Sequence, residues 1–333
     1  MPNTSAEAIL SIRPVQARLL FPGDADAVAR RFRELALAWH PDRNGSPEAT
    51  RVFAHITTLH AAATKKPVIE ERLFETIKGR QYRLRWRRRH VSPLGEILVG
   101  DSFIAHIVPP DLDDLSLRAA AFRPRFADDA MRREMARFLP RVETVLETAE
   151  GWVFIERKSG DQVLLADLAR LAPVDPRQAA WMATRLVNLA CWLQWSGVAH
   201  GAIGPETLLV SPSQHSVALT GPLLCAGRFG SVPSVLPERT LDVAPGYAAT
   251  GARLDERLDP ELVRLTLREL LGDPMGTRLA ADPDFPKPFA TWLLTPAACA
   301  QADFAAWERA REASFGRRRF TPWKVDIAAM MAA

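Results

Sequence analysis

A His-Pro-Asp triplet at residues 40–42 lies between two amphipathic helical patterns, and this frame constrains the fold more than any other feature of the chain. Mostly apolar residues recur at three- and four-residue steps on each side of the triplet, as on one face of a helix. They are Val28, Phe32, Leu35, Ala36 and Trp39 before it, and Val52, Phe53, Ile56, Leu59 and His60 after it. Pro41 cannot continue the first helix and disfavours a helical conformation at His40, whereas Ser46 is a good N-cap before Pro47. The pattern predicts an antiparallel helical hairpin whose polar loop contains the triplet.

Residues 8–66 resemble a J-domain, above all in the string L-A-L-A-W-H-P-D-R-N. J-domains dock on DnaK-type heat-shock ATPases and stimulate their hydrolysis of ATP. The resemblance implies an all-α hairpin domain over residues 1–66, in which the triplet His40-Pro41-Asp42 stimulates the chaperone. It also implies docking on the chaperone through basic residues, which here are Arg30, Arg33 and Arg43.

The first helix is less basic than this docking role favours. Between Asp24 and Trp39, three arginines are balanced by two aspartates and Glu34, so the net charge is zero. Arg33 stands where J-domains have a docking base, but Glu34 stands where another base is common. We therefore expect electrostatic steering to an acidic chaperone surface to be weaker than for a strongly basic helix.

Length and composition indicate a globular protein of more than one domain. A chain of 333 residues is too long for one small core, and a hydrophobic content of 47% with mixed charge is typical of a folded chain. No apolar run approaches 18 residues, and the first ten residues lack both a basic segment and a long apolar core. We expect a cytoplasmic protein without a membrane partner.

The cysteines argue against a disulfide framework and against a zinc ribbon. Cys191, Cys225 and Cys299 are far apart and form no C-x-x-C pair. General-purpose J-domain proteins continue with a Gly/Phe-rich linker and four zinc-binding C-x-x-C pairs, and this chain has neither. It therefore looks like a specialised member in which the J-domain is attached to an unrelated second module, without a metal site.

The rest of the chain has mixed periodicity. Residues 64–79 predict a short connector with some helical character, and we take 67–79 as the linker. Strand-like segments follow, with one helical segment, DDAMRREMARFL, among them. The strand-like segments are YRLRW, EILV, SFIAHIV, LSLRAAAF, VETVLET and WVFIE. After Gly160 the pattern is mainly helical, with two short strands at TLLVS and SVALT.

The string H-G-A-I-G-P-E-T-L-L-V at residues 200–210 resembles the catalytic loop of protein kinases, H-R-D-L-K-P-E-N-L-L-V. An apolar helix leads into it, and SVALTGPL aligns with the kinase strand that ends in D-F-G. Asp259 stands where kinases have a buried helix-capping aspartate, and His200 where they have a structural core histidine. The resemblance implies an α+β, two-lobed, protein-kinase-like fold over residues 80–326, followed by a tail at 327–333.

The departures from the kinase pattern imply a catalytically dead domain. In kinases the loop aspartate accepts a proton, and the loop asparagine and the D-F-G aspartate hold magnesium. Here those positions are Ala202, Thr207 and Gly221, and no G-x-G-x-x-G motif is present. The third-strand lysine position is predicted at Arg118, with Glu134 as its helix partner. The resemblance therefore implies a pseudokinase with no catalytic residue, metal ligand or cofactor.

A basic segment, residues 80–90, concentrates arginines beside two aromatic residues. Read as one strand, it places four alternate arginines on one face: Arg83, Arg85, Arg87 and Arg89. That face is either a phosphate-binding stripe or the solvated outer face of an edge strand. We favour the second interpretation and expect no nucleic-acid partner, because no nucleic-acid motif accompanies the arginines.

The C-terminal segment 314–323 combines three arginines with three aromatic residues. We expect the aromatic side chains of Phe315, Phe320 and Trp323 to pack on the preceding lobe. The arginines at 317–319 are expected to stay at least partly exposed.

Two functions are compatible with these features. In the first, the chain is a J-domain co-chaperone, and its second module holds a client protein whose identity the sequence does not reveal. In the second, the kinase-like module is a nucleotide-binding or unconventional transferase enzyme that the J-domain targets. The missing magnesium ligands favour the first.

Overall fold

The chain divides into two compact units in the computed structural model. The structure describes residues 5–65, 69–92, 94–170, 174–317 and 319–321, and beyond them Trp323, Val325, Ile327 and Met330. One unit is Met1–Glu70 with Arg170–Ala172 and Asp326–Ala333, and the other is Glu71–Ala169 with Pro173–Val325. Of the tail predicted at 327–333, only Ile327 and Met330 are described, and Met330 is buried.

The first unit is helical. Its elements are α1 (Ala6–Ser11), a 3₁₀ helix (Pro14–Leu19), α2 (Ala25–Trp39) and α3 (Ala49–Thr64). The apolar stripes of α2 and α3 face each other and bury Val28, Leu35, Val52, Ile56 and Leu59 in one core. The antiparallel hairpin predicted from the periodicity is therefore confirmed.

The predicted start of the second helix is wrong by two residues. α3 begins at Ala49 with Glu48 as its N-cap, not at Pro47. The Ser46 hydroxyl accepts a hydrogen bond from the Glu48 N–H at 3.3 Å, and the Ser46 carbonyl accepts one from Ala49 N–H at 3.0 Å. Residues 46–49 thus form a separate turn before the helix.

The second unit is mixed α+β. Its strands are β1 (Glu70–Glu75), β2 (Gln81–Trp86), β3 (Arg88–Ser92), β4 (Gly95–Val99), β5 (Phe103–Val108), β6 (Val142–Thr148), β7 (Gly151–Arg157), β8 (Val163–Leu164), β9 (Val198–Ala199), β10 (Leu208–Ser211), β11 (Ser216–Leu219) and β12 (Gly227–Arg228). Its helices are α4 (Asp113–Ala121), α5 (Asp129–Met135), α6 (Leu165–Ala169), α7 (Pro176–Ser196), α8 (Glu238–Val243), α9 (Leu258–Leu270), α10 (Thr277–Ala281), α11 (Lys287–Leu294) and α12 (Ala300–Phe315). No helix in the described parts of the chain is long and apolar enough to cross a bilayer.

A five-stranded antiparallel sheet forms the centre of the first half of this unit. Its strand order is β3-β4-β5-β7-β6, and α4 and α5 lie in the connection between β5 and β6. The two-stranded sheet β1-β2 covers one face, where Phe74 and Trp86 pack with Leu98 and Val153. α4 packs on Val108 and Phe154. Both faces of the central sheet are therefore covered, as an apolar sheet requires.

Two secondary-structure predictions for this half are wrong. The connector predicted at 64–79 contains β1, so the second unit begins near residue 70 and not at residue 80. The segment LSLRAAAF is helical in α4, not a strand. Asp113 and Asp114 in its first turn favour the positive end of the helix dipole, and Ala119–121 are strong helix formers. Both effects outweigh the short alternation of leucines.

The basic segment 80–90 is divided at Arg87 between β2 and β3, so it is not one continuous strand. Within β2 the predicted alternation is confirmed: Leu84 and Trp86 are buried, and Arg83 and Arg85 are exposed. The four arginines of the stripe lie beside carboxylates. Arg83 and Arg85 pair with Glu71, Arg87 with Asp101, and Arg89 with Glu96. This pairing favours a solvated, charge-balanced face over a phosphate-binding stripe.

The aromatic residues near the C-terminus contact the helical part of the second unit. The Phe315 ring packs edge-on against Phe289 at 5.8 Å, and the Trp323 ring packs against Trp181 at 6.2 Å. Phe320 stacks on His215 at 4.3 Å but remains 66% exposed. Arg317 and Arg319 are exposed, and Arg318 lies outside the described residues. The predicted packing is thus confirmed for Phe315 and Trp323, whereas Phe320 makes a ring contact but stays largely exposed.

A buried ion pair joins α9 to α12 in the helical part. The Arg264 guanidinium donates to the Asp303 carboxylate at 2.5 and 3.2 Å and to the Trp292 carbonyl at 2.9 Å. The Trp292 indole N–H also donates to Asp303, at 2.7 Å. Both charged residues are at most 3% exposed. Removing one partner would leave the other charge buried without compensation.

We predict that Asp303→Ala lowers the free energy of unfolding of the second unit by about 3–5 kcal/mol, because it strands the Arg264 charge. Denaturant unfolding followed by tryptophan fluorescence measures the loss. The control is Glu134→Ala, whose exposed partner Arg137 lies 3.7 Å away, and for which we expect less than about 1 kcal/mol. Equal losses in the two variants would contradict the prediction.

Candidate functional site

The loop after α2 has a defined shape because its own residues bond to one another. The His40 carbonyl accepts hydrogen bonds from the N–H groups of Arg43 and Asn44, both at 2.9 Å. The Asn44 side chain donates to the Ala38 carbonyl at 2.8 Å and so ties the loop to the last turn of α2. The His40 ring packs edge-on against Phe53 of α3 at 5.3 Å. The predicted loop residues are therefore held in place rather than free.

Asp42 is the acidic group that this loop presents to solvent. Its side chain is 85% exposed and lies 3.7 Å from the His40 ring nitrogen Nδ1. The Asp42 N–H points to the same Nδ1, at 3.2 Å. His40 thus orients the backbone of Asp42 while the carboxylate remains available to a partner.

An exposed face of α2 continues from this loop. Arg30 and Arg33 are exposed, and Leu37, four residues after Arg33, is 58% exposed. Residues three and four apart lie on the same side of a helix. Within the described ranges, the guanidinium groups of Arg30, Arg33 and Arg43 have no hydrogen-bond or ion-pair partner. The sequence analysis did not identify Leu37. Its signal was its position, four residues after Arg33 and outside the apolar stripe of α2.

In the second unit, the segment that begins at His200 is clamped by Asp259. The buried Asp259 carboxylate accepts hydrogen bonds from the N–H groups of His200 at 2.7 Å and Gly201 at 2.9 Å. Sequence reasoning expected this aspartate to cap its own helix, but its carboxylate bonds a loop about 58 residues earlier instead. The role is positional, since no reacting group is in contact with it.

His200 is structural here. Its ring is buried, and its Nδ1 accepts a hydrogen bond from the Ala202 N–H at 3.2 Å. Burial lowers the pKa of His200 to about 4, so the imidazole is neutral at physiological pH. α7 ends at Ser196, and Gly197 follows in the left-handed conformation at φ 69°, which is common at helix C-termini.

The three positions that the kinase resemblance assigned to catalysis contain no ionisable side chain. Ala202 presents a methyl group, which neither takes a proton nor binds a metal ion. The Thr207 hydroxyl donates to the Ala202 carbonyl at 2.7 Å and accepts from Gly204 N–H at 3.0 Å, so it serves its own turn. Among the residues that the structure describes, no group of three or more His, Cys, Asp or Glu side chains is placed to hold a metal ion.

Gly221 has no room for an aspartate. Its φ is +92°, a conformation that side-chain-bearing residues rarely adopt. A Cβ atom there would lie 2.8–3.3 Å from the imidazole atoms of His106. The His106 ring therefore occupies the space that a carboxylate at position 221 would need.

His106, Glu156 and Thr220 form a buried polar cluster around Gly221. The Glu156 carboxylate accepts from Gly221 N–H at 2.5 Å and from the Thr220 hydroxyl at 3.1 Å. The His106 Nε2 lies 3.2 Å from the Thr220 hydroxyl and 3.8 Å from Glu156. Desolvation raises the pKa of Glu156 to about 7 and lowers the pKa of His106 to about 3. The cluster joins β5 and β7 to the segment after β11.

A second buried contact between ionisable residues joins β3 to α6. The Asp167 side chain is 1% exposed and its Oδ1 lies 3.2 Å from His90 Nε2. Arg88 of the same strand lies 4.0 Å from Asp167. This contact joins β3 to α6, and the cluster around Gly221 joins β5 and β7 to residues 220–221. The central sheet is therefore connected to later segments at two separate places.

The predicted Arg118–Glu134 ion pair is wrong, because Arg118 lies in a helix and not in a strand. Arg118 in α4 donates to the Ser234 hydroxyl at 2.9 Å. Glu134 in α5 lies 3.7 Å from Arg137. The polar residue that points from the sheet toward Gly221 is His106. In the sequence, His106 is a lone ionisable residue within the apolar segment FIAHIV, and this pattern could have indicated its role. Glu156 in the segment WVFIE shows the same pattern.

No protein-family model matches this chain, and no curated protein matches it either.

The raised pKa of Glu156 predicts that the stability of the second unit depends on pH. The isosteric variant Glu156→Gln is expected to lack this dependence. Its pKa rises from 4.5 to about 7 on folding, so its stabilising contribution is complete below pH 4.5 and is lost as pH rises through 7. At about 1.4 kcal/mol per pKa unit, the loss is about 3 kcal/mol. His106 contributes an opposite slope below pH 6.5, because burial lowers its pKa. We therefore predict that wild type loses about 3 kcal/mol relative to Glu156→Gln between pH 4.5 and pH 8.

Urea unfolding of both proteins across this pH range tests the prediction. His106, Asp259 and the other titratable groups outside position 156 are common to both proteins, so their titration cancels in the difference. A wild-type-minus-variant difference that is the same at both ends of the range would contradict a neutral, buried Glu156.

Proposed function

We propose that this protein is a J-domain co-chaperone that recruits a DnaK-type heat-shock ATPase and stimulates its ATP hydrolysis. The second unit, of protein-kinase-like fold, holds a client or partner protein without catalysing phosphoryl transfer. Energy comes from the partner's ATP, and no bond is broken in this chain. A cytoplasmic location is part of this proposal.

The observation that carries the proposal is the combination of a rigid loop with an exposed carboxylate. Asp42 is 85% exposed while His40 and Asn44 fix the loop around it. A pre-formed loop loses little conformational entropy when it binds, so its contacts contribute more fully to affinity. This arrangement supports a role for His40, Pro41 and Asp42 in contact with the chaperone.

The exposed face of α2 supports docking beside that loop. Arg30 and Arg33 supply charge without an internal partner, and Arg43 adds a third exposed cation within the loop. Leu37 supplies an apolar contact among them. Such a surface suits an acidic partner with a small apolar patch, because the charges steer association and the apolar contact adds affinity.

Sheet order and the clamped loop support a kinase-like fold for the second unit. A five-stranded antiparallel sheet with helices inserted before its edge strand β6 is followed by a mainly helical part. If the chain is aligned with kinases on this strand order, β5 is the third strand. His106 then replaces Arg118 as the residue that faces Gly221 and the space beside it, which is called the cleft below. The Asp259 clamp on His200 and Gly201 occupies the place of the buried kinase aspartate.

The cleft chemistry supports a pseudokinase. Gly221 offers no carboxylate, and the imidazole of His106 fills the adjacent space. Phosphates bound without a metal ion or a carboxylate pair would lack the usual clamp. We propose that the second unit binds no ATP, and no observation favours the alternative of an unconventional transferase.

We predict that Asp42→Asn abolishes stimulation of a purified DnaK-type ATPase, because it removes the exposed charge of the loop without changing its shape. The matched control is Glu48→Gln, which makes the same chemical change at an exposed residue six positions later. Steady-state phosphate release in a mixing assay measures both variants, and circular dichroism checks that both are folded.

Three outcomes decide this test. Stimulation by wild type and by Glu48→Gln, but not by Asp42→Asn, supports the proposal. No stimulation by wild-type protein sinks it. Equal loss in both variants would assign the effect to general charge and not to the triplet.

We predict that ATP with magnesium does not change the melting temperature of the second unit. A ligand at 100 times its dissociation constant would stabilise the folded state by about 2.7 kcal/mol, which a thermal scan resolves. The DnaK-type chaperone, scanned in the same buffer, is the positive control for the nucleotide. A saturable upward shift of this protein would contradict the pseudokinase proposal and favour the transferase alternative.

A further inference from the structure

A cavity of about 310 Å³ lies in the second unit, apart from both sites described above. It is bounded by α4, by residues 122–125, by the end of α7 and by residues 223–228. Its lining includes neither the His-Pro-Asp loop nor the cluster of His106 and Glu156. The cavity therefore needs an explanation of its own.

The lining is strongly positive. Four arginines border the cavity, and within the described part of the lining no carboxylate accompanies them. They are Arg118, Arg123, Arg125 and Arg228. Like charges gathered around a small volume repel one another, and that repulsion is relieved when an anion binds between them.

The four arginines differ in whether their guanidinium groups already have hydrogen-bond partners. Arg118 donates to Ser234, and Arg123 donates to the carbonyls of Ala120 and Phe122. In the described portion of the chain, the guanidinium groups of Arg125 and Arg228 have neither a hydrogen bond nor an ion pair. Each guanidinium offers five N–H donors in a planar fork that matches a carboxylate or a phosphate.

The rest of the lining is largely apolar. Trp192 is 4% exposed, and its indole N–H donates to the Arg125 carbonyl at 3.1 Å. This bond fixes the backbone of Arg125 beside the aromatic ring. Phe122, Leu115 and Leu224 complete an apolar surface next to the arginines.

The lining also includes Ser196, a residue whose hydroxyl is buried. The Ser196 Oγ is shielded from solvent and has no hydrogen-bond partner among the residues that the structure describes. Buried polar atoms are almost always satisfied in native proteins, so this hydroxyl is one of the exceptions among the described residues.

We propose that this cavity binds a small organic anion whose carboxylate or phosphate is held by Arg125 and Arg228 and whose apolar body packs on Trp192. A volume of about 310 Å³ is at the small end of ligand cavities, which run from about 300 to 1,000 Å³. It suits a monocyclic aromatic or short aliphatic anion rather than a nucleotide. This site can be tested separately from the proposed function, since Arg125 and Arg228 lie outside the His-Pro-Asp loop and outside the cluster of His106 and Glu156.

Isothermal titration of the full chain with phenyl phosphate tests the site. Benzoate, phenol and inorganic phosphate are the comparison probes: benzoate exchanges the anionic group, phenol lacks the charge and inorganic phosphate lacks the apolar body. We expect one saturable site for phenyl phosphate, with both phenol and inorganic phosphate binding at least about tenfold more weakly. Saturable benzoate binding would show that the site also accepts carboxylates, and its absence would restrict the proposal to phosphates.

Variants identify the arginines responsible. Arg228→Gln and Arg125→Gln are expected to weaken binding of phenyl phosphate at least about tenfold each, while Arg228→Lys is expected to retain part of it. Both side chains are exposed, so the variants are expected to fold, and their melting temperatures check this. The matched control is Arg317→Gln, another exposed arginine, which lies outside the cavity.

Two results would overturn the proposal. One is the absence of saturable binding for every probe at millimolar concentration. The other is equal weakening by Arg228→Gln and Arg317→Gln, which would mean that anions bind the basic chain without a defined site. Stimulation of the chaperone ATPase is measured separately, so failure of this site leaves the co-chaperone proposal untouched, and the reverse also holds.

Discussion

The carboxylate of Glu156 joins the two halves of the second unit, and the geometry of the cleft depends on it. It lies at the end of a strand in the central sheet and accepts hydrogen bonds from Thr220 and Gly221 of the later segment. Burying such a group is costly unless it is hydrogen-bonded or neutral. The two bonds and the raised pKa satisfy that requirement together. With Glu156 in this position, His106 fills the remaining space, and position 221 accommodates glycine alone.

The two units present opposite kinds of polar chemistry. In the first unit, polar groups of the loop face solvent: Asp42 is 85% exposed, and the guanidinium groups of Arg30 and Arg33 of α2 have no internal partner in the described chain. In the second unit, the polar groups of the cleft are turned inward and bonded to one another. Exposed, unpartnered charge suits recognition, whereas buried and satisfied charge suits stability. The proposed division of labour, with the first unit acting on a chaperone and the second holding a partner, follows this contrast.

The wrong secondary-structure predictions in the second unit rest on short local patterns, which either a distant partner or a stronger local signal outweighs. The charged segment around Phe74 has weak helical character, but pairing with β2 and burial of Phe74 on the central sheet make it a strand. The segment around Leu115 alternates like a strand, but its acidic first turn and its alanines favour a helix that packs on Phe154. Arg118 was therefore assigned to the wrong element, and its predicted partner Glu134 was lost with it.

The sequence by itself determined the helical hairpin with its triplet, the alternation within β2 and the absence of carboxylates at residues 202, 207 and 221. These features depend on periodicity, on caps and on residue identity, which are local. The tertiary structure alone decided which ionisable residues meet. His106 and Thr220 are separated by 114 residues, and Glu156 and Gly221 by 65. Their contact depends on how the sheet packs against the later segment. The cavity lined by Arg125 and Arg228 arises in the same way, from elements that no local pattern brings together.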